Sequence, residues 1–254
     1  MPALRFITLE DMSIADVNSE WLGVPRRLLM ENAGAGVARV VAERVDPPAR
    51  VVILAGTGNK GGDGAVAARH LASLGFKVTY VLLGYEERIR TKEARENFQA
   101  LKNMETSVSI MKAPCVSHLE GLREVVINAD VVIDAILGTG IRGAPREPAA
   151  TAIRFFNESK GLKISIDLPS GMHPDTGKDW GLIAKPDVTV TMHAAKAGIR
   201  ERGDVAGDIA VINIGIPPEA ELYAGPGDLL IALKRRNPFS KKGENGVVRA
   251  VGGS

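Results

Sequence analysis

The segment Gly56-Thr57-Gly58-Asn59-Lys60-Gly61-Gly62-Asp63-Gly64 constrains this chain more than any other, because five glycines in nine positions fall where the hydrophobic pattern changes period. Before it, Val51-Val52-Ile53-Leu54-Ala55 is a short, continuous apolar run, the pattern of a strand buried on both faces. After it, residues from about Gly64 to Leu74 read as a helix. A G-x-G-x-x-G run between a strand and a helix is the setting of the dinucleotide fingerprint. Glycines there let the backbone approach a pyrophosphate, and the free N–H groups of the helix start attract an anion.

The alternation continues. Residues 8–45 read as helical, with Ser13 and Asp16 as caps and Leu22, Val24, Leu28, Leu29, Ala33, Val37, Val40 and Val41 at helical spacing. Past the glycines come a strand at Lys77–Leu83, a helix at Lys92–Met104, a strand at Val108–Met111 and a helix at His118–Asn128. Then follow a strand at Val131–Asp134, a helix at Pro148–Ser159, and strands at Lys163–Asp167, Asp187–Met192 and Ile209–Ile214. Repeated units of this length predict an α/β fold: a Rossmann-like three-layer sandwich with a mainly parallel central sheet and extra N-terminal helices.

At 254 residues and 45% hydrophobic content, the chain accommodates one good-sized α/β domain with appendages. A net charge of +2 with interspersed signs gives no electrostatic footprint for nucleic acid. The late cluster Lys234-Arg235-Arg236 and Lys241-Lys242 reads as a solvated helix end and linker. The single Cys115 excludes internal disulfides and a cysteine-built metal site. The start, MPALRFITLEDM, lacks a signal-peptide pattern, and no apolar run approaches the roughly 18–20 residues of a membrane span. A soluble cytoplasmic protein without membrane or nucleic-acid partners is expected. Near the end, Pro226-Gly227-Asp228 opens a helix-like segment that Asn237-Pro238 breaks. Lys241–Gly246 then reads as a loop, and Val247–Val251 as a strand stopping at Gly252-Gly253-Ser254. A strand leading into a glycine turn there suggests the start of a second domain.

Three acids carry the candidate chemistry. Asp63 puts a carboxylate inside a phosphate-type loop, where it repels phosphate and points instead to hydroxyl or amide recognition, or to catalysis. A dehydrogenase places a ribose-binding acid at the end of its second strand. Val78-Thr79-Tyr80-Val81-Leu82-Leu83-Gly84 ends without one, and Glu86 and Glu87 come late. Asp134 ends an apolar strand before Gly138-Thr139-Gly140-Ile141-Arg142-Gly143, and Asp167 ends another before Leu168-Pro169-Ser170-Gly171. Ligands of open parallel sheets bind beyond the carboxyl ends of strands, so these acids are expected to converge. His70, His118, His173 and His193 lack metal-ligand spacing, and Ser170 has no G-x-S-x-G elbow around it. Lys196, after a strand end, is within plausible reach of the acids.

Together, Met30-Glu31-Asn32-Ala33-Gly34, the Gly56–Gly64 loop, Asp134–Gly140, Asp167–Gly171 and Lys196-Ala197-Gly198 resemble the YjeF N-terminal-domain family, the NAD(P)H-hydrate epimerases, over most of residues 10–220. Lys242-Gly243-Glu244-Asn245-Gly246 and Val251-Gly252-Gly253-Ser254 are similar to the start of the ADP-dependent dehydratase domain often fused behind it. The resemblance implies an epimerase domain over 1–222, and a linker with the start of a truncated dehydratase over 223–254. It implies an isomerase that repairs NADHX and NADPHX, the hydrated forms of the reduced cofactors. R and S forms interconvert at the hydroxyl-bearing C6, and the dehydratase consumes only S. These molecules are substrates, so no redox cofactor is needed.

By the same resemblance, Asn59, Lys60, Gly61, Gly62 and Asp63, then Gly138, Thr139, Gly140, Ile141, Arg142, Gly143 and Ala144, and finally Asp167 contact the substrate. Asp134 and Ser170 match positions that hold a potassium ion. The family's third side-chain ligand is an asparagine of an Asn-Asn-Gly-Gly-Asp run, and Lys60 stands in its place here. Either the Lys60 ammonium replaces the ion beside Asp134, or Lys60 turns to solvent and backbone carbonyls keep it. A homodimer through the N-terminal helices is also implied. For catalysis, Asp167 is the first choice as general acid and then base at C6, with burial raising its pKa. Asp63 orients it or exchanges roles with it, and Lys196 stabilises its carboxylate or holds a phosphate. The competing readings are a nicotinamide-dependent oxidoreductase, disfavoured by the missing ribose acid, and a non-catalytic binding module, disfavoured by the three retained acids.

Overall fold

The computed structural model describes residues 4–140, 142–233, 240–241 and 252. Ile141, the basic cluster Lys234–Arg236 and the strand expected at Val247–Val251 lie outside the described residues, as does Lys242–Gly246 of the expected loop.

A short strand β1 (Phe6–Ile7) leads into α1 (Leu9–Trp21) and α2 (Arg26–Ala42). The helical stretch expected over 8–45 is therefore two helices, separated where Gly23 takes φ 94° and Pro25 caps α2. Thr8, not Ser13 or Asp16, caps α1: its hydroxyl accepts from Asp11 N at 3.1 Å, and Glu10 and Asp11 in the first turn suit the helix dipole. Ser13 and Asp16 thus fall inside α1.

Next in chain order come β2 (Arg50–Ala55), α3 (Asn59–Ser73), β3 (Lys77–Leu82), a 3₁₀ turn at Glu86–Arg88, α4 (Lys92–Lys102) and β4 (Val108–Lys112). Then follow α5 (Val116–Glu120), α6 (Arg123–Ile127), β5 (Val131–Ala135), α7 (Ala149–Glu158), β6 (Leu162–Ile166), β7 (Val188–Met192) and β8 (Ala195–Lys196). The described chain finishes with α8 (Ala197–Glu201), α9 (Gly203–Ala206), β9 (Asp208–Ile212), α10 (Glu219–Leu222) and α11 (Pro226–Ala232).

Seven strands form one all-parallel sheet in the order β4-β3-β2-β5-β6-β7-β9, and β1 pairs with β8 beside it. The alternation of β2 explains the layers. Val51, Ile53 and Ala55 face a core shared with α2, α3 and α4. Val52 and Leu54 face the opposite core, with Leu119, Val126, Ile153 and Phe156 of α5, α6 and α7. From β2 the chain steps outward through β3 and β4, then returns to β5 on the other side of β2. That reversal opens a crevice between the carboxyl ends of β2 and β5, the usual ligand position in such sheets.

The glycines behave differently from the expectation of a loop running to Gly64. Helix α3 already starts at Asn59, and its glycines are packing positions. A Cβ on Gly61 would stand 2.0 Å from Gly56 O, one on Gly62 2.9 Å from Ala94 Cα, and one on Gly64 2.8 Å from Ala135 Cβ. Close packing of α3 against the sheet, α2 and α4 outweighs their poor intrinsic helix propensity. Past the sheet, α11 docks on α1. Buried Asn18 donates to Ala220 O (3.0 Å) and Asp228 Oδ2 (3.1 Å) and accepts from Gly227 N (2.8 Å). The stretch after residue 222 therefore begins as part of the same packed body.

Helices α2 and α3 touch through Gly34, where a Cβ would meet Val66 Cβ at 2.4 Å and Asp63 O at 2.7 Å. Gly34→Val should lower stability by about 3 kcal/mol through overpacking. Gly203→Ala, whose Cβ meets nothing within 4 Å, should stay within about 0.5 kcal/mol of the parent in the same denaturant titration.

Candidate active site

The carboxyl ends of β2, β5 and β6, the start of α3, and one side of α1 and α2 border a cleft of about 1050 Å³. Asp16, Asn59, Lys60, Asp63, Asp167 and Lys196 all reach it. A second hollow of about 650 Å³ lies at the opposite edge of the sheet, against Arg50, Lys77 and Asn128. Its Arg50 is engaged by Asp130 at 3.1 Å, and no set of acids gathers there as it does in the cleft.

Asp134, fully buried at the end of β5, is the structural node beneath the cleft. Its Oδ1 accepts from Ile136 N (3.1 Å) and Ser170 Oγ (2.5 Å). Its Oδ2 accepts from Ser165 Oγ (2.8 Å), Ser170 N (2.8 Å) and Lys60 Nζ (2.9 Å). Lys60 also donates to Leu168 O at 2.7 Å and Ser170 Oγ at 3.0 Å, with Leu137 O at 3.4 Å. Its side chain is only 4% exposed, so Lys60 does not turn to solvent. A lysine in the first turn of a helix opposes the helix dipole and loses its hydration. Burial accordingly holds its pKa below the ordinary lysine value, with the Asp134 carboxylate opposing that shift.

A second buried ammonium lies at the next strand end. Lys196 Nζ donates to Asp167 Oδ1 (2.5 Å), Met192 O (3.2 Å) and Ala194 O (3.4 Å). Asp167 itself has φ 64°, and Leu168 N bonds back to Ile166 O at 2.7 Å across it. The neighbouring strand repeats this turn, with His193 at φ 65° and Ala194 N bonded to Met192 O at 2.7 Å. Three-residue turns with a left-handed central residue are rare and strained, and such strain gathers at functional sites. Thr191 Oγ1 and Met192 N also approach Asp167 Oδ1, both at 3.4 Å, while its Oδ2 has no hydrogen-bond partner among the described residues.

Asp63 differs from both. Its carboxyl makes no side-chain hydrogen bond or ion pair among the described residues and lines the cleft. Burial, then the charges of Asp167 and Asp16, push its pKa well above the carboxylate range, against the pull of Lys60 and Lys196. The ionised form of Asp63 is thus disfavoured by its surroundings. Asp16 is pushed up to about 6, chiefly by burial, with Arg26 opposing.

Asp63, Asp167 and Lys196, expected to act together, therefore do share one cleft, with Asn59, Lys60, Gly138, Thr139 and Gly140 on its walls. Gly61 and Gly62 are buried within α3, and Ser170 is buried against Asp134; none of the three lines the cleft. Arg142, Gly143 and Ala144 continue the loop past the lining. The histidines serve local structure away from it: His70 on Glu31 (2.8 Å), His118 on Cys115 (2.9 Å), His173 accepting from Asp175 N (3.2 Å), His193 on Glu221 (3.0 Å).

Sequence reasoning missed Asp16, which only the packing of α1 over the sheet brings to the cleft, and which no spacing signals. It also missed Arg88 and Arg90, exposed at the cleft after β3. Glu86, the nearest acid to the expected ribose position, is engaged by Lys112 (3.1 Å) and Lys102 (3.4 Å).

Residues 26–198 match the family model described as YjeF-related protein N-terminus. The chain is 48% identical over 250 residues to the bifunctional NAD(P)H-hydrate repair enzyme Nnr of Hyperthermus butylicus, covering 98% of this chain and 46% of that protein. It therefore spans about half the length of that relative. It is also 45% identical over 215 residues to the NAD(P)H-hydrate epimerase of Cenarchaeum symbiosum, covering 85% of this chain and 97% of that protein. Among solved structures, the crystal structure of yeast ynu0 superposes with a TM-score of 0.67 at 23% identity, over 80% of this chain and 86% of that one, and shows the same fold.

Because the folded chain binds the Asp16 proton more tightly than the unfolded chain does, this group favours folding at acid pH, and the contribution is lost as pH rises from about 4 through about 6. Asp16→Asn should be more stable than the parent by about 1–2 kcal/mol at pH 8, after discounting for partial exposure. The gain should vanish at pH 4, read as unfolding midpoints across a pH series.

Proposed function

The chain belongs to the family of YjeF-related protein N-termini, and from that premise we propose that it interconverts the R and S forms of NADHX and NADPHX. One observation carries the reading. Asp63, a carboxyl with no ion pair among the described residues, shares one crevice of about 1050 Å³ with Asp167, whose carboxylate is paired to the Lys196 ammonium. The names of the relatives, NAD(P)H-hydrate epimerase and NAD(P)H-hydrate repair enzyme, supply the substrate class.

The chemistry needs these two groups. C6 of the hydrated ring bears both a hydroxyl and the ring nitrogen. Asp63 donates its proton to that hydroxyl, the C–O bond breaks, water leaves, and the nitrogen lone pair forms the iminium. Water then adds to the other face of C6, and Asp167 Oδ2 accepts its proton while the bonding pair returns to nitrogen. No electrons are transferred, and a proton passing from Asp167 back to Asp63 resets the site. Protonation states matched to donor and acceptor roles are what general acid–base catalysis requires. In this reading the acid is Asp63 and not Asp167, the first choice from the sequence, with the two exchanging roles. Lys196 keeps the Asp167 carboxylate oriented. Arg88 and Arg90, with the free N–H groups at the start of α3, suit the pyrophosphate. No hydride acceptor enters, and an acid placed for ribose after β3 is missing, which disfavours an oxidoreductase.

Around this core, an ADP-dependent, S-specific dehydratase is the natural partner, fused or associated, and the Hyperthermus butylicus relative is named bifunctional. Exposed Trp21, Leu22 and Leu28 on the N-terminal helices and the turns beside them support a homodimer through that face. No helix among the described residues is long and apolar enough to cross a membrane, and the free, exposed Cys115 suits a reducing cytoplasm.

The test mixes R-NADHX with this chain and a separate S-specific dehydratase. R should disappear faster than its spontaneous rate, and no acceleration would refute the proposal. Asp63→Asn and Asp167→Asn should each slow epimerisation by about 10²–10⁴-fold. Asp63→Asn should do so without lowering the unfolding midpoint at neutral pH, because a neutral amide replaces a carboxyl whose ionised form the folded site disfavours.

A further inference from the structure

Behind the cleft floor, four oxygens surround one point: Leu168 O, Asp134 Oδ2, Ser170 Oγ and Leu137 O, at 2.7, 2.9, 3.0 and 3.4 Å from Lys60 Nζ. One carboxylate, one hydroxyl and two main-chain carbonyls form a donor set suited to a hard cation. Potassium, which the family resemblance implies beside Asp134 and Ser170, does not fit the residues present. Lys60 Nζ stands at the centre of the cage, and a second positive charge there would share a single carboxylate. We propose that the Lys60 ammonium is a tethered replacement for a bound alkali cation, so that the site assembles without potassium.

The partners around Lys60 Nζ match the charged form. Leu168 O and Leu137 O have no hydrogen to give, Asp134 Oδ2 is a carboxylate oxygen already taking two other hydrogen bonds, and the Ser170 hydroxyl has its own acceptors in Asp134 Oδ1 (2.5 Å) and Leu137 O (3.1 Å). A neutral amine would turn its lone pair toward an oxygen, whereas an ammonium has a donor for each of the three nearest oxygens, and Leu137 O also accepts from Ser170 Oγ at 3.1 Å. The lysine also reaches from α3 across the sheet reversal to β5 and to the turn after β6, so it joins the segments a shared ion would join. A free ion stabilises a fold only as far as its concentration exceeds its dissociation constant. A cation on the chain itself has no such dependence.

The test reads stability and ion binding rather than turnover, so its failure and that of the proposed reaction are separable. The parent chain should unfold at one midpoint in potassium, sodium or choline chloride at equal ionic strength, and should show no saturable thallium binding by ²⁰⁵Tl NMR. Lys60→Asn in choline should lose roughly 10 °C, because Asp134 is left as an unpaired buried charge, and potassium should restore much of that loss saturably. Lys60→Met should lose as much and gain nothing from potassium. A saturable potassium shift in the parent would overturn the proposal, as would a thallium anomalous peak in the cage with Lys60 turned away. Indifference of a folded Lys60→Asn to potassium would overturn it as well. Should Lys60→Asn fold in neither salt, the parent measurements alone decide.

Discussion

Asp134 sits where three chain segments must meet, and its two carboxylate oxygens take hydrogen bonds from all of them. Lys60 comes from α3, Ile136 from the loop after β5, and Ser165 and Ser170 from β6 and its turn. A buried carboxylate in an apolar sheet end is costly unless every lone pair is used, and an ion pair that deep is costly to break from one side. The crevice at the sheet reversal owes its shape to that condition. The walls carrying Asn59 and Asp63 on one side, and Gly138 to Gly140 and Asp167 on the other, are anchored to the same group.

The charges are also sorted. Two ammonium groups are committed to two carboxylates, Lys60 to Asp134 and Lys196 to Asp167. Neither Asp63 nor Asp16 makes an ion pair among the described residues, and burial raises the pKa of both, with Arg26 opposing at Asp16. Acids of one type thus become different by what surrounds them, which is how a site obtains a donor and an acceptor from the same side chain.

Much of this was legible in the sequence, for identifiable reasons. The strands announced themselves because a parallel sheet buries both faces, and Val51–Ala55 and Val131–Ile133 are continuously apolar. Asp134 and Asp167 stood out because they end such runs. What stayed hidden depends on contacts distant in sequence. Helix α3 starts at Asn59 because its glycines are pressed against Gly56, Ala94 and Ala135, which a propensity scale does not record. Asp16 looked like a cap because nothing local says that α1 lies over the cleft. The division of roles proposed for Asp63 and Asp167 was open because it turns on which acid Lys196 reaches.

The paired turns at the ends of β6 and β7 have a consequence for the energy of proton transfer. Asp167 and the carbonyls of Met192 and Ala194 grip one ammonium from two adjacent strands, each ending in the same tight, left-handed turn. Such a carboxylate has little room to relax when its charge changes. In the proton transfer proposed at Asp167, little of the barrier would then go into rearranging protein dipoles, because that cost is met in advance, during folding.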